Sequence, residues 1–200
     1  LEEDDISETI SDLIDQEFKR ISSTYIPEES IESQWKSKDL DVYLKENYNL
    51  ETNIESLIRA DKKLLPESIA DLIIEKAKEL YKQKYQSLDS NRLLLEKQIM
   101  LQVLDVHWKE HLAEIDHLRG SIGLRAYAQK NPKNEFKQEA YSMFESMLDE
   151  IDSETIRILF VIEFATEEVL EGLKRDSEKQ EMILEKPEVI SEDSQTNQHP

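Results

Sequence analysis

The sequence contains no cysteine among its 200 residues. The chain therefore forms neither a disulfide nor a thiolate metal site, a composition typical of proteins in a reducing compartment. Glycine and proline, the residues that most often interrupt regular structure, number only 3 and 5. Long uninterrupted elements are expected.

Long hydrophobic runs and positive charge are also scarce. The longest purely apolar run near the C-terminus covers residues 158–162, which is too short to span a bilayer.

The 45 acidic and 25 basic residues give a formal net charge of −20. This balance argues against nucleic-acid binding, because that function requires Lys and Arg to neutralise phosphates. Residues 1–15 carry seven acids and no base, and no signal peptide is visible there.

Helix-forming residues dominate what is present, and no alternating strand pattern is visible, so the sequence predicts an all-α fold. Apolar residues at three-and-four spacing predict a helix over residues 4–25, ended by Pro27. Pro66 stands where a further helix should begin. Residues 1–88 are interpreted as one compact helical module.

From Asn91 the pattern becomes heptad-like and predicts a long rod, with a loop over residues 119–134 and a second rod beyond it. Two rods joined by a short loop must pack antiparallel to bury their apolar stripes, so residues 89–165 are predicted to form a helical hairpin. Residues 166–200 are acidic and lack aromatics, and disorder is expected there. The expected seam of the first rod follows the heptad positions: Leu94, Leu101, Leu104, Trp108, Ile115, Leu118 and Ile122.

The stretch "HWKEH" at residues 107–111 matches H-x-x-E-H, a pattern of certain zinc peptidases. His107 and His111 share a helix face and could bind one zinc, with Glu110 as the base. No second motif supplies a third ligand, however, and His111 lies on the expected seam. We therefore favour the interpretation that one histidine packs in the seam and the other lies at the surface.

Other catalytic signatures are missing from the sequence. It contains neither the G-x-x-x-x-G-K-[ST] phosphate-binding loop nor the G-x-S-x-G nucleophile elbow. The chain is predicted not to be an enzyme by itself and to need no cofactor or metal. A stand-alone helical protein-binding module remains an alternative.

The predicted loop is a local basic spot in an acidic chain. Between residues 119 and 137 there are five bases and a single acid. Leu124 and Tyr127 lie among them, and a tyrosine ring can contact varied partners while its hydroxyl stays hydrated. These two side chains either contact a partner or fold back onto the end of the hairpin, and the residues alone leave both interpretations open.

A long stretch of the chain resembles a known family. Residues 101–151, "LQVLDVHWKEHLAEIDHLRGSIGLRAYAQKNPKNEFKQEAYSMFESMLDEI", are similar to the C-terminal scaffold region of SecA preprotein translocase motors. Trp108, Lys109 and His111 match the family pattern, whereas His107 falls on a position that it leaves open. Residues 5–40 resemble the family's helical wing, with "YIP" at 25–27 and Trp35 as anchors.

The resemblance implies a non-catalytic part of a motor that uses ATP to push unfolded preproteins through the SecYEG channel. Residues 1–88 would be the helical wing and 89–165 the two-helix finger of the helical scaffold. The ATPase domains, which would bind ATP and Mg²⁺, would precede Leu1, so the chain is expected to be a piece of a longer protein. The tip would contact the moving polypeptide and the channel through Leu124, Arg125, Tyr127 and Gln129. The seam and the coupling to the motor would involve Trp108, His111 and Arg119.

The resemblance also implies a cytoplasmic protein, peripherally associated with the bacterial inner membrane. The basic tip could meet an anionic membrane surface, and a homodimer is a further possible partner arrangement. Many family members end in a cysteine-rich zinc-binding segment; because this chain has no cysteine, that segment is either missing or lies beyond Pro200.

Overall fold

The computed structural model describes residues 3–60, 64–86, 88, 91–122 and 131–163. All regular structure in these ranges is helical, which confirms the predicted all-α fold. The predicted disorder of residues 166–200 lies outside the described residues. In chain order the elements are α1 (Glu3–Tyr25), a 3₁₀ turn (Glu32–Gln34), α2 (Ser37–Tyr48), α3 (Ile54–Ala60), α4 (Pro66–Tyr85), α5 (Asn91–Ile122) and α6 (Pro132–Val161).

Local signals fix several of the helix ends. Pro66 occupies the first turn of α4, as predicted, because its missing N–H has no partner to lose at that position. The helix α2 ends at Asn49, which adopts the left-handed conformation with φ of 52°. Asp41 in α2 caps the start of α3, since its carboxylate accepts hydrogen bonds from the backbone N–H groups of Ile54 and Glu55 at 2.8 and 3.0 Å.

The aromatic centre of the core combines residues from the first and the last of the described helices. The Phe160 ring near the end of α6 is in contact with the rings of Phe18, Tyr48 and Tyr81, with centroids 5.3, 5.9 and 5.9 Å away. Aliphatic residues at helical spacing surround these rings, and Ile10, Ile73 and Ile156 are fully buried. Helix α6 thus completes an interior that α1, α2 and α4 begin.

Helices α5 and α6 form the predicted antiparallel hairpin. His107 contacts Glu154, whereas His111, one turn later in α5, contacts Phe144, earlier in α6. The loop is shorter than predicted, because α5 continues through Gly120 to Ile122. A helix tolerates one glycine at a cost of about 1 kcal/mol relative to alanine, so Gly120 does not end it.

Residues Leu1–Ile162 belong to one compact unit. The functional division predicted near residue 88 therefore has contacts across it, and as a division it stays a prediction. None of the helices in the described ranges is long and apolar enough to cross a membrane.

Candidate functional site: the helical hairpin and its base

The inner face of the hairpin is a seam of side chains between α5 and α6. The buried side chains of α5 are Leu95, Glu96, Ile99, Val103, His111 and Leu118, and those of α6 are Met147, Thr155, Ile156, Leu159 and Phe160, the last of which packs against α1, α2 and α4. Burial is dense toward the base, and no side chain between Pro132 and Ser146 of α6 is buried. Helix α6 is thus firmly packed toward the base of the hairpin and more exposed toward its tip, whereas α5 keeps Leu118 buried near its end.

The structure corrects the predicted seam of α5. Leu101, Leu104 and Trp108, which the heptad interpretation placed inside, are 48%, 41% and 44% exposed. Together with Leu112, which is 50% exposed, they form a second apolar line that we call the outer stripe. Residues at spacings of three and four share a helix face, so the outer stripe is continuous along α5. The apolar surface of α5 is therefore wider than the part of it that is buried.

His111 lies in the seam, as its position predicts. Its ring centroid is 6.0 Å from Trp108 and 5.9 Å from Phe144 on the opposite helix. Its Nδ1 atom is buried and has no hydrogen-bond partner among the described residues. His111 thus connects the outer stripe to α6 through a run of three rings.

His107 has a different partner, and this separates the two histidines of "HWKEH". Its Nε2 atom lies 2.7 Å from Oε2 of Glu154, and its Nδ1 atom lies 3.5 Å from Oε2 of Glu150. Within the described part of the chain, no group of three or more His, Cys, Asp or Glu side chains is arranged to hold a metal ion. The geometry therefore gives the zinc-peptidase interpretation no support, and His107 instead bridges the two helices.

The predicted tip residues fall in a stretch that the structure does not describe. Leu124, Arg125, Tyr127 and Gln129 lie within residues 123–130, outside the described ranges. Arg119 is exposed in the last turn of α5. Asn131 caps α6, because its side-chain oxygen accepts a hydrogen bond from the Lys133 N–H at 3.1 Å. The two helices thus bring Arg119 and the start of α6 to the same end of the hairpin.

The base of the hairpin is fastened to α1 and α2 by a buried carboxylate. Glu17 accepts hydrogen bonds from the Tyr48 hydroxyl at 2.6 Å and from the Ser153 hydroxyl at 2.7 Å. Arg20 donates to both Glu17 oxygens, and its Nη2 also donates to Ser153 Oγ at 2.9 Å. We call these four side chains the Glu17 junction. Burial and the hydrogen bond to Glu17 raise the pKa of Tyr48 far above its ordinary value, so its hydroxyl remains a donor.

A second buried carboxylate lies where α4 meets the start of α5. Glu96 is fully buried and accepts hydrogen bonds from the Tyr81 hydroxyl and from Arg92 Nε, the latter at 2.6 Å. The Arg92 guanidinium also lies 5.2 Å from the centre of the Tyr81 ring. Next to this group, the Tyr85 hydroxyl donates to the Leu159 carbonyl at 2.9 Å. These bonds tie α4 to both helices of the hairpin.

Sequence reasoning missed both carboxylates, although one carried a signal. Glu17 lies three residues after Ile14 and four before Ile21, which places an acid on the apolar face of α1. An ionised carboxylate on such a face requires partners. The identity of those partners depends on tertiary contacts, since Ser153 is 136 residues away in the chain.

Comparison with known proteins identifies the family. The family model described as the SecA Wing and Scaffold domain matches residues 1–163. The Protein translocase subunit SecA of Azoarcus sp. (strain BH72) is 39% identical over 172 residues, which are 86% of this chain and 19% of that protein. The subunit of Dechloromonas aromatica (strain RCB) is also 39% identical, over 181 residues that are 90% of this chain and 20% of that protein.

The chain therefore spans about a fifth of the length of the curated relatives that it matches. The matched region contains every helix described above, including the hairpin and both buried carboxylates. On this evidence, the chain belongs to the SecA family and carries its wing and scaffold domain.

Proposed function

We propose that this chain is the non-catalytic wing and finger part of a SecA motor that drives ATP-dependent translocation of preproteins through the SecYEG channel. Residues 1–88 act as the wing and 89–165 as the finger. ATP and Mg²⁺ bind to ATPase domains outside this chain. The family match carries the proposal, because it covers residues 1–163 and includes the entire hairpin.

The hairpin has the physical properties of a part that transmits displacement. Each of its two helices has 30 residues or more, so at 1.5 Å per residue the hairpin is about 45 Å long. The dense seam and the two buried carboxylates hold its base, while its other end carries the basic loop. In this proposal Leu124, Arg125, Tyr127 and Gln129 contact the unfolded polypeptide and the cytoplasmic mouth of the channel.

The outer stripe supports the proposed coupling to the motor domains. Exposed apolar residues in a continuous line are typical of a surface that another protein segment covers. Trp108 occupies the middle of this line and is in ring contact with His111, which reaches α6. An ATPase domain seated on Trp108 would press on both helices, and Arg119 would extend the contact toward the tip. The protein would work in the cytoplasm at the inner membrane, where the basic tip meets anionic lipid headgroups.

The proposal is tested by Tyr127→Ala in a complete SecA that carries these residues, with preprotein transport into membrane vesicles as the measurement. Transport should fall at least tenfold while the circular dichroism spectrum stays unchanged. The matched control is Tyr141→Ala, which removes a tyrosine that is 63% exposed on the shaft of the hairpin and should retain transport. Equal transport by Tyr127→Ala and the parent protein would overturn the proposed role of the tip.

A further inference from the structure

The Glu17 junction lies at the place where α6 leaves the wing. From Phe160 back to Ser153, α6 contacts α1, α2 and α4 through rings and hydrogen bonds. Beyond Met147 toward the tip, no α6 side chain is buried. The junction is thus at the boundary between the part of the hairpin that is embedded and the part that projects.

This location gives the junction mechanical leverage. From Ser153 to Asn131 the projecting part of α6 is about 33 Å long, at about 1.5 Å per residue. A tilt of about 10° at Ser153 would displace the far end of α6 by roughly 6 Å over this length. Small changes in the geometry at Glu17 are therefore enlarged at the tip.

The chemistry of the junction favours one geometry over its alternatives. Glu17 is nearly fully buried, so an ionised carboxylate there is stable only while donors surround it. Its donors come from three helices: Arg20 on α1, Tyr48 on α2 and Ser153 on α6. The Ser153 hydroxyl donates to Glu17 while it accepts from Arg20, so moving α6 breaks two hydrogen bonds at once. Apolar contacts alone would permit small sliding movements that this arrangement opposes.

We propose that Glu17 is a positioning residue that sets the angle of the finger relative to the wing, acting through Ser153 with Tyr48 and Arg20 as its supports. The inference rests on the proposed function for its biological meaning, since an angle matters only if the finger transmits movement. The positioning itself is a property of this chain and can be measured without transport.

The experiment uses double electron–electron resonance on the 200-residue chain. Because the chain has no cysteine, spin labels attach only at introduced sites. Glu46→Cys on α2 and Gln138→Cys on α6 are both exposed positions in described helices. The parent protein should give one narrow distance distribution between these labels.

Glu17→Gln keeps the shape of the side chain and removes its charge, and the distribution should then broaden by about 5 Å or shift by a similar amount. Ser153→Ala removes only the α6 partner and should produce the same broadening, and the double variant should add little to either. If Glu17→Gln fails to fold, Ser153→Ala still provides the test. A control variant, Ile73→Val, loosens the wing core at a fully buried site on α4, a helix that contributes no side chain to the junction, and should leave the distribution narrow.

Distributions for Glu17→Gln and Ser153→Ala that match the Ile73→Val control would overturn the positioning role. This result would leave the proposed role of the tip intact, because that role is tested by transport with Tyr127→Ala. Conversely, loss of the tip proposal would not alter a measured change in the angle of the finger.

Discussion

Nε2 of His107 lies 2.7 Å from Oε2 of Glu154 and joins the two helices of the hairpin midway along the seam. Glu150, one turn before Glu154, faces the other ring nitrogen at 3.5 Å, and Arg157 binds the second Glu154 oxygen at 3.2 Å. At this position along the hairpin, a polar contact between His107 and Glu154 joins α5 to α6 instead of a pair of apolar side chains.

This bridge predicts a measurable coupling between His107 and Glu154. A double-mutant cycle with His107→Gln and Glu154→Gln should give a coupling free energy of about 0.5–1.5 kcal/mol in urea unfolding, since both groups are partly shielded from solvent. The pair Lys109 and Asp105, exposed on α5, supplies a control cycle whose coupling should be smaller. A coupling at His107 no larger than that of the exposed pair would contradict the bridge.

A second prediction concerns the acid next to Ser153. Partial burial, followed by repulsion from Asp149 and Glu17, raises the pKa of Asp152 above its ordinary value. The folded state therefore holds this proton more tightly than the unfolded chain does. Ionised Asp152 destabilises the fold at any pH above its raised pKa, and the penalty disappears as the pH falls through that pKa to the ordinary value.

Asp152→Asn should accordingly stabilise the chain at pH 7, by less than about 1 kcal/mol after solvent screening. The advantage should shrink as the pH falls through the raised pKa and vanish below the ordinary aspartate pKa of about 3.9, where the unfolded chain is protonated as well. Urea unfolding of both proteins across this range measures the difference. Asp116→Asn, at an exposed site on α5, is the control, and the same pH profile for both substitutions would refute the assignment to Asp152.

The outer stripe leads to a third prediction. Trp108→Ala should lower the free energy of unfolding of this chain by only about 1 kcal/mol, because 44% of the residue is already exposed to solvent. Leu118→Ala, at a buried seam position, should cost about 2–5 kcal/mol. A loss above about 3 kcal/mol for Trp108→Ala would show that the indole is a seam residue after all.

In a complete SecA, Trp108→Ala should affect activity more than it affects the stability of this chain. If an ATPase domain covers Trp108 and the proposed coupling restrains that domain, Trp108→Ala should raise basal ATP hydrolysis by weakening this contact. Ile31→Ala is a suitable control, since Ile31 is a large apolar side chain that is 66% exposed and lies outside the hairpin. Unchanged hydrolysis in Trp108→Ala would remove Trp108 from the proposed coupling.

The sequence predicts the helices well because their signals are local. Pro66 begins α4, and apolar spacing together with a scarcity of glycine indicates two long rods that pair. The side of α5 that faces α6 is not predictable in the same way, because α5 carries two apolar lines at similar spacing. The heptad interpretation placed Leu104, Trp108 and His111 on the seam, but of these only His111 is buried, and Val103 is buried instead. Periodicity shows that a face is apolar but leaves its partner undetermined.

The residues of the candidate site could likewise be predicted from the sequence only in part. The family pattern indicates Trp108, His111 and the tip residues, since it depends on residue identity. The Glu17 junction depends on four side chains from three helices that only the folded chain brings together. A buried acid on an apolar face indicates that it has hydrogen-bond partners, but only the tertiary structure identifies them.

The position of Phe160 has a consequence for biosynthesis. Its ring fills the space between Phe18, Tyr48 and Tyr81, so the helices made first cannot close their interior until the end of α6 emerges from the ribosome. At about 5–20 residues per second, the ribosome needs several seconds to pass from Tyr85 to Phe160. During that interval the aromatic surfaces of α1, α2 and α4 stay open, and the acidic character of the nascent chain helps to keep it in solution.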